Sequence, residues 1–380
     1  MKSYLALTAA IALLTAGCSQ EEAAAPTAAE PTPEPAATAA NELNVYNWSD
    51  YISDDAIANF EKETGIKVTY DVFDSNEVLE AKLVAGNTGY DLVVPSLSFL
   101  GRQVQAGVFM EIDKSKLSNY GNLDTVLLER IADTDANNAH SIPYLWGTTG
   151  IGYNVAKVKE ALGEDAVIDS WEVFFNPEKL AKLHGCGVAV LDTPQEIIPS
   201  ALNYLGEDPN SFDEAVIGKA EALLAAIKPH ITYFHSSQYI NDLANGDICL
   251  AVGWSGDIFQ AADRADEAGQ GVEVAYVIPK EGAAMWFDML AIPKDARHVD
   301  NAYKFLDYLM RPEVMAGIQN YVAYASANSA ALPQVDEEIL TNPGIYPSDE
   351  TKAKLFTFAV LPPEVDRLST RMWTRLKTGQ

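Results

Sequence analysis

An α/β architecture in two domains is what this sequence predicts, and three observations carry it. From Leu43 to Gly107 short apolar runs alternate with helical patterns in the order β-α-β-α-β-α, which is that of a doubly wound α/β domain. An extended stretch with three glycines, Pro143 to Asn154 (PYLWGTTGIGYN), then breaks the alternation and reads as a crossing between domains. A second series of strand and helix patterns follows it, and 380 residues suffice for two sizeable cores.

The leader comes first. Lys2, a small apolar run from Ala6 to Leu14 and the residues Thr15-Ala16-Gly17 make a secretory signal over 1–17. The run is too short for a spanning helix, and no later segment is long and apolar enough. A cysteine directly after Ala-Gly, Cys18, resembles the bacterial lipobox, in which the cysteine is lipidated and becomes the new N-terminus. Thr15 stands where that motif usually has Leu, and an ordinary signal peptide cut nearby is the alternative. Residues 18–42, rich in Ala, Pro, Thr and Glu with little to bury, read as a disordered tether.

Leu43 to Tyr46 reads as a short buried strand that ends in a polar turn, Trp48-Ser49-Asp50-Tyr51. Ser53 can cap the next helix, with Asp54 and Asp55 in its first turn and Gly65 as its C-terminal cap. Ile66 to Val72 alternates as a strand does. Asn76 can cap a helix that Gly86 ends, Asp91 to Pro95 reads as a buried strand with Ser96 after it, and Ser98 can cap the helix beyond. In the second half, a helix from Val155 to Leu162, a helix capped by Ser170 and a strand from Gly187 to Leu191 precede a turn, Asp192 to Glu196. Helices near Ala215 to Ile227 and Tyr239 to Asn245 follow, then a buried strand, Ile248 to Gly253, with Trp254 to Asp257 after it. Strands at Val272 to Pro279 and Met289 to Ile292, an amphipathic helix at Asn301 to Met310, a loop-rich stretch at Pro333 to Ile345 and a helical tail near Arg367 to Lys377 complete the chain.

Charge narrows the function. The chain has 26 basic against 54 acidic residues, a net charge of −28. Nucleic acid and anionic membrane surfaces need a basic face, whereas an acidic field attracts cations. With Cys18 spent on a lipid, Cys186 and Cys249 remain. Two leftover cysteines in an exported chain fit a disulfide, and a metal site would need more ligands. The five histidines show no metal-binding spacing, so neither metal nor cofactor is expected.

Predicted strand ends share one chemistry: Trp48-Ser49-Asp50-Tyr51, Ser96, Trp254 with Asp257, and Trp286 with Asp288, while Glu196 occupies a similar turn. Ligands of open α/β sheets bind at such edges. Aromatic faces attract cations, and carboxylates receive ammonium groups that leave water. Acids and aromatics without a partnering Arg or Lys therefore suggest a small cationic ligand. Each position taken singly is equally well a cap or a core residue. Enzyme readings are weaker: Gly253-Trp254-Ser255-Gly256 is out of step with GxSxG, and no glycine-rich phosphate loop opens a helix. A secreted hydrolase using paired carboxylates is the alternative from that class.

Long runs carry a resemblance: YNWSDYI, YDLVVPS, TTGIGYNV, FHSSQYINDLANGDIC, GWSGD, IPKEGA, NPGIYP and AKLFT. From about Leu43 to Gln380 the chain resembles the bacterial periplasmic polyamine-binding proteins, above all the putrescine binders of ABC importers. The resemblance implies a two-lobed type II binding-protein fold, an interlobe ligand cleft that closes about a hinge, and an inner-membrane ABC permease as partner. The implied lobes are 43–144 with 272–319, and 147–270 with 321–380. Carried over position by position, it implies an aromatic box of Trp48, Tyr51, Trp254, Trp286 and Tyr324 around a methylene chain. Ser49, Asp50, Ser96, Glu196, Asp257 and Asp288 would hold the amines, directly or through water. It also implies a disulfide between Cys186 and Cys249. Trp286 stands where the putrescine binder has Phe, and Thr193 replaces a small apolar residue, so spermidine enters beside putrescine as a ligand. The lipobox and tether depart from the usual soluble leader, and anchoring rests on those residues alone. A sensor or receptor subunit for another organic cation is a second binding hypothesis, which a neighbouring permease gene would disfavour.

Overall fold

In the computed structural model, which describes residues 41–379, a single ten-stranded sheet organises the chain. Its strands are β1 (Glu42–Trp48), β2 (Lys67–Phe73), β3 (Leu92–Val93), β4 (Ser141–Asn154) and β5 (Val188–Val190). They continue as β6 (Tyr233–Phe234), β7 (Leu250–Trp254), β8 (Val274–Val277), β9 (Ala284–Ala291) and β10 (Ala325–Ser326). Their order is β2-β1-β3-β9-β4-β7-β5-β6, with β8 and β10 also paired to β4. Cys18, the signal segment and the tether up to residue 40 lie outside the described residues.

β1 is parallel to β2 and β3, as the leading β-α-β-α-β pattern requires, and β5 is parallel to β6 and β7. The stretch read as a crossing is the 14-residue strand β4, which both halves share. Its first part pairs antiparallel with β9 and β10, and its second part with β7 and β8. Two hydrophobic cores flank it. The first gathers side chains from 43–146 and 285–345, the second from 151–283 and 365–376. The segment divisions implied by the resemblance differ from this at two places. Val274 and Ala283 lie in the second core, because β8 pairs with the second part of β4. Residues from Val322 to Ile345 lie in the first, because the helix Pro312–Val322 keeps its apolar face there without a break.

Several elements start elsewhere than the residue patterns imply. Helix α1 (Asp54–Thr64) begins after Ser53 and ends on left-handed Gly65, as expected, although the Ser53 side chain makes no capping bond. Helix α2 (Asn76–Ala85) is capped by Ser75, whose hydroxyl accepts from the Val78 N–H, and Asn76 is released for another task. Helix α3 (Leu97–Gln105) starts after Ser96 rather than Ser98. Ser170 accepts from the Glu172 N–H ahead of the short helix Glu172–Phe175. Among the elements not anticipated are the helices Pro194–Tyr204, Ser255–Ala268 and Pro312–Val322. β9 is twice the length expected, so Trp286 and Asp288 lie within a strand and not at its end. Cys186 and Cys249 form a disulfide with their Cα atoms 5.5 Å apart, joining the entry of β5 to that of β7.

Candidate functional site

One cavity takes its lining from both cores. At the carboxyl end of β1, the Trp48 indole donates from Nε1 to the Val94 carbonyl at 2.9 Å, which fixes its ring plane. Its centroid lies 5.5 Å from that of Trp254, which lies 6.5 Å from Trp286. Trp286 is 5.4 Å from Tyr324, and Tyr324 is 5.1 Å from Tyr51. The five expected aromatics thus form an unbroken chain of steeply tilted rings around the space. Edge contacts of this kind leave ring faces free for a cation or a methylene chain.

Into this apolar frame the fold places three carboxylates, Asp257 and Asp288 buried and Glu196 half-buried. Asp288, within β9, accepts from the Ser96 hydroxyl at 2.6 Å and from the Tyr51 hydroxyl at 2.9 Å. Ser96 is itself clamped by Asn76, which donates from Nδ2 to Ser96 Oγ at 2.9 Å and accepts the Ser96 N–H at 3.0 Å. Asp257 lies in the first turn of the helix Ser255–Ala268, where the helix dipole favours an anion. The hydroxyls of Tyr239 and Tyr324 each donate to it at 2.7 Å. Glu196 occupies the first turn of the helix Pro194–Tyr204 and accepts from Trp254 Nε1 at 2.9 Å and from the Thr149 hydroxyl.

Each acid therefore has two neutral donors, and none of the three forms an ion pair among the described residues. Burial pushes all three up to about 7 against the pull of those donors, and neighbouring carboxylates add to the rise: Asp257 acts on Asp288, Asp288 on Glu196, and Asp50 on Asp257. Burial and the same acids hold the phenols of Tyr51, Tyr239 and Tyr324 well above their ordinary range, so they remain hydrogen-bond donors. No Lys or Arg lines the cavity. Such a site is arranged for small organic cations: hydrogen bonds already orient the carboxylate oxygens, and a positive charge is the missing component.

Of the residues expected from sequence, Trp48, Ser49, Tyr51, Ser96, Glu196, Trp254, Asp257, Trp286, Asp288 and Tyr324 all line the cavity. Asp50 does not. Its backbone is left-handed, with φ 52°, and its carboxylate pairs with Arg264 at 2.8 Å, which turns it away from the others. Asn76, Thr149 and Tyr239 escaped the sequence reading, since each acts through a partner 15 or more positions away. Among the described residues no cluster of His, Cys, Asp and Glu is suited to a metal ion, and no helix is long and apolar enough to cross a membrane.

Comparison with known proteins places the chain. Residues 55–346 match the model of the bacterial extracellular solute-binding proteins. The chain is 59% identical over 339 residues to the putrescine-binding periplasmic protein PotF of Escherichia coli (strain K12), covering 89% of this chain and 92% of that one. Among solved structures, it superposes on the spermidine/putrescine ABC transporter substrate-binding protein PotD from Streptococcus pneumoniae with a TM-score of 0.72 and 27% identity, covering 89% and 98% of the two chains. The TpPotD lipoprotein of Treponema pallidum matches with a TM-score of 0.74 and 26% identity, covering 88% and 99%. The fold is accordingly the two-lobed type II form of periplasmic binding proteins, with its cavity in the interlobe cleft, and the chain belongs to the bacterial extracellular solute-binding protein family.

Proposed function

We propose that this protein captures a polyamine in the bacterial periplasm, putrescine first and spermidine second, and delivers it to an inner-membrane ABC permease. One observation carries the reading: three carboxylates, two buried and one half-buried, each held by two neutral donors and none ion-paired, inside an aromatic cavity that no Lys or Arg lines. A diamine brings an ammonium to each end of an apolar chain. Asp257 and Asp288 would take one ammonium and Glu196 the other, directly or through water, while the tryptophan and tyrosine rings surround the methylenes. Removing an ammonium from water is costly unless an acceptor or opposite charge meets it, and here both do. Membership of a solute-binding family makes the chain a carrier and not an enzyme. The names of its relatives, a putrescine-binding protein and a spermidine/putrescine transporter component, support the ligand class. The two cores support a division into lobes at β4, with 43–146 and 285–345 in one and 151–283 and 365–376 in the other.

We also infer a lipid anchor at Cys18, on the lipobox-like Thr15-Ala16-Gly17-Cys18 and the tether after it, with a lipoprotein among the similar structures as support. The ligand reading is tested by calorimetry with putrescine, cadaverine, spermidine, spermine and 4-aminobutyrate. The diamines and triamine bind, and 4-aminobutyrate fails, because its carboxylate would enter a nest of acids. Equal binding of 4-aminobutyrate and putrescine would sink the assignment. The anchor is tested by palmitate labelling, which Cys18→Ala abolishes; a soluble mature protein beginning at another residue would refute it.

A further inference from the structure

The cavity contains one acid that the diamine site leaves idle. Asp74 directly follows the last residue of β2 and lines the cavity, yet among the described residues it has no hydrogen-bond or ion-pair partner. The neighbouring wall is also short of positive charge. Glu80 and Asp366 share the single guanidinium of Arg102, and Glu77 beside them has a buried Oε1 with no partner. Polar groups in such places normally have partners. The count over the whole cavity points the same way: four carboxylates line it, Asp74, Glu196, Asp257 and Asp288, against the two charges of a diamine.

Sheet order supplies the distance. Asp288 is on β9, and Asp74 ends β2; the order β9-β3-β1-β2 separates them by three strand spacings. At the usual spacing of neighbouring strands this is roughly 14 Å. A four-carbon diamine anchored at Asp257 and Asp288 is too short to reach Asp74, whereas a chain longer by one aminopropyl unit spans the gap. Between them, Trp48 and Phe73, with ring centroids 4.6 Å apart, supply an apolar surface for the added methylenes.

We propose that Asp74 receives the third ammonium of a linear triamine of spermidine length, and so raises the affinity of this cavity for the triamine relative to what it would be without that acid. The inference rests on the polyamine reading above, and the test separates the two. Titration calorimetry at neutral pH compares the purified parent, Asp74→Asn and Asp74→Glu, each with putrescine, spermidine and terminally N-acetylated spermidine, which keeps the length and loses one charge. Asp74→Asn should lower the spermidine-to-putrescine affinity ratio at least tenfold, and Asp74→Glu should recover most of it. The parent should prefer spermidine to its acetylated form, and Asp74→Asn should lose that preference. An unchanged ratio in Asp74→Asn overturns the proposal, as does a parent that binds putrescine but not spermidine. A parent that binds neither amine overturns the polyamine reading itself.

Discussion

Asp257 and Asp288 show what one side chain can decide. Each is buried, doubly hydrogen-bonded and without a counter-ion, so in the proposed complex each would face an ammonium that has left water. Asp257→Ala or Asp288→Ala should weaken putrescine binding by roughly 3–5 kcal/mol, because an uncompensated charge remains buried. Trp254→Ala should cost on the order of 2 kcal/mol, the value of a desolvated cation–π contact. The order of effects is informative: calorimetry that finds the Trp change larger than both Asp changes describes an apolar site and contradicts this one. Much of this residue set was legible in the sequence, because an aromatic and an acid just after an apolar run is a pattern the eye can find. Asp50 fitted that pattern and does not line the cavity, because its left-handed backbone sends the carboxylate to Arg264. Thr149 and Tyr239 fitted no pattern, since what makes them functional is contact across 47 and 18 positions respectively.

Among elements, glycines account for much of what the sequence concealed. Gly256 reads as a helix breaker, yet the helix Ser255–Ala268 runs through it. A Cβ there would lie 2.4 Å from the Tyr324 ring, so the glycine permits close approach of the tyrosine that holds Asp257. Pro194 likewise hid a helix that it in fact begins, because proline is well suited to the first helical turn. The apolar run of β9 was cut short in the reading by Asp288, an acid buried in a strand whose eight residues are all buried. Gly147 in β4 plays the same part for the indole opposite: a Cβ would come within 2.8 Å of Trp286. Gly147→Ala should therefore shift Trp286 and weaken putrescine binding by about 1–3 kcal/mol, the usual range for overpacking. Parent-like affinity with an unmoved Trp286 in a crystal of that variant would show that the strand can yield. The disulfide acts on a different pair of elements. It closes a separation of 63 residues between the entries of β5 and β7, and replacing both cysteines by Ala should cost about 4 kcal/mol in the chain-entropy model. Denaturant melts of parent and variant measure this, and two free thiols in the unreduced, denatured parent would contradict the bond.

For the molecule as a whole, the buried acids couple binding, folding and pH with opposite signs. Carboxyls in an unfolded chain lose their protons near pH 4, whereas burial holds Glu196, Asp257 and Asp288 up to about 7 in the ligand-free fold. Glu77, near the cavity wall and facing Arg102, Glu80 and Asp366, is raised to about 7 by the same cause. Between about pH 4 and pH 7 the folded chain thus binds more protons at these groups than the unfolded chain does. Their contribution to stability is complete below that window and is lost as pH rises through it. Glu61, Glu63 and Glu172, held low by hydrogen bonds from Lys67, Arg311 and Lys179, and Asp113, held low by Ser115, work the other way. The informative quantity is therefore the difference in stability between parent and Asp288→Asn, which should move against the parent as pH rises from about 4 to about 7. A dication needs the acids ionised, so its binding should release protons, and affinity should rise over the same window while the amines stay charged. Calorimetry in two buffers of different ionisation enthalpy counts those protons. Proton release near zero at pH 6, together with an affinity that is flat from pH 5 to pH 8, would mean that the three acids are already ionised in the empty cleft. The ligand would then enter a site held open against its own charge, and not one that exchanges protons for ammonium groups.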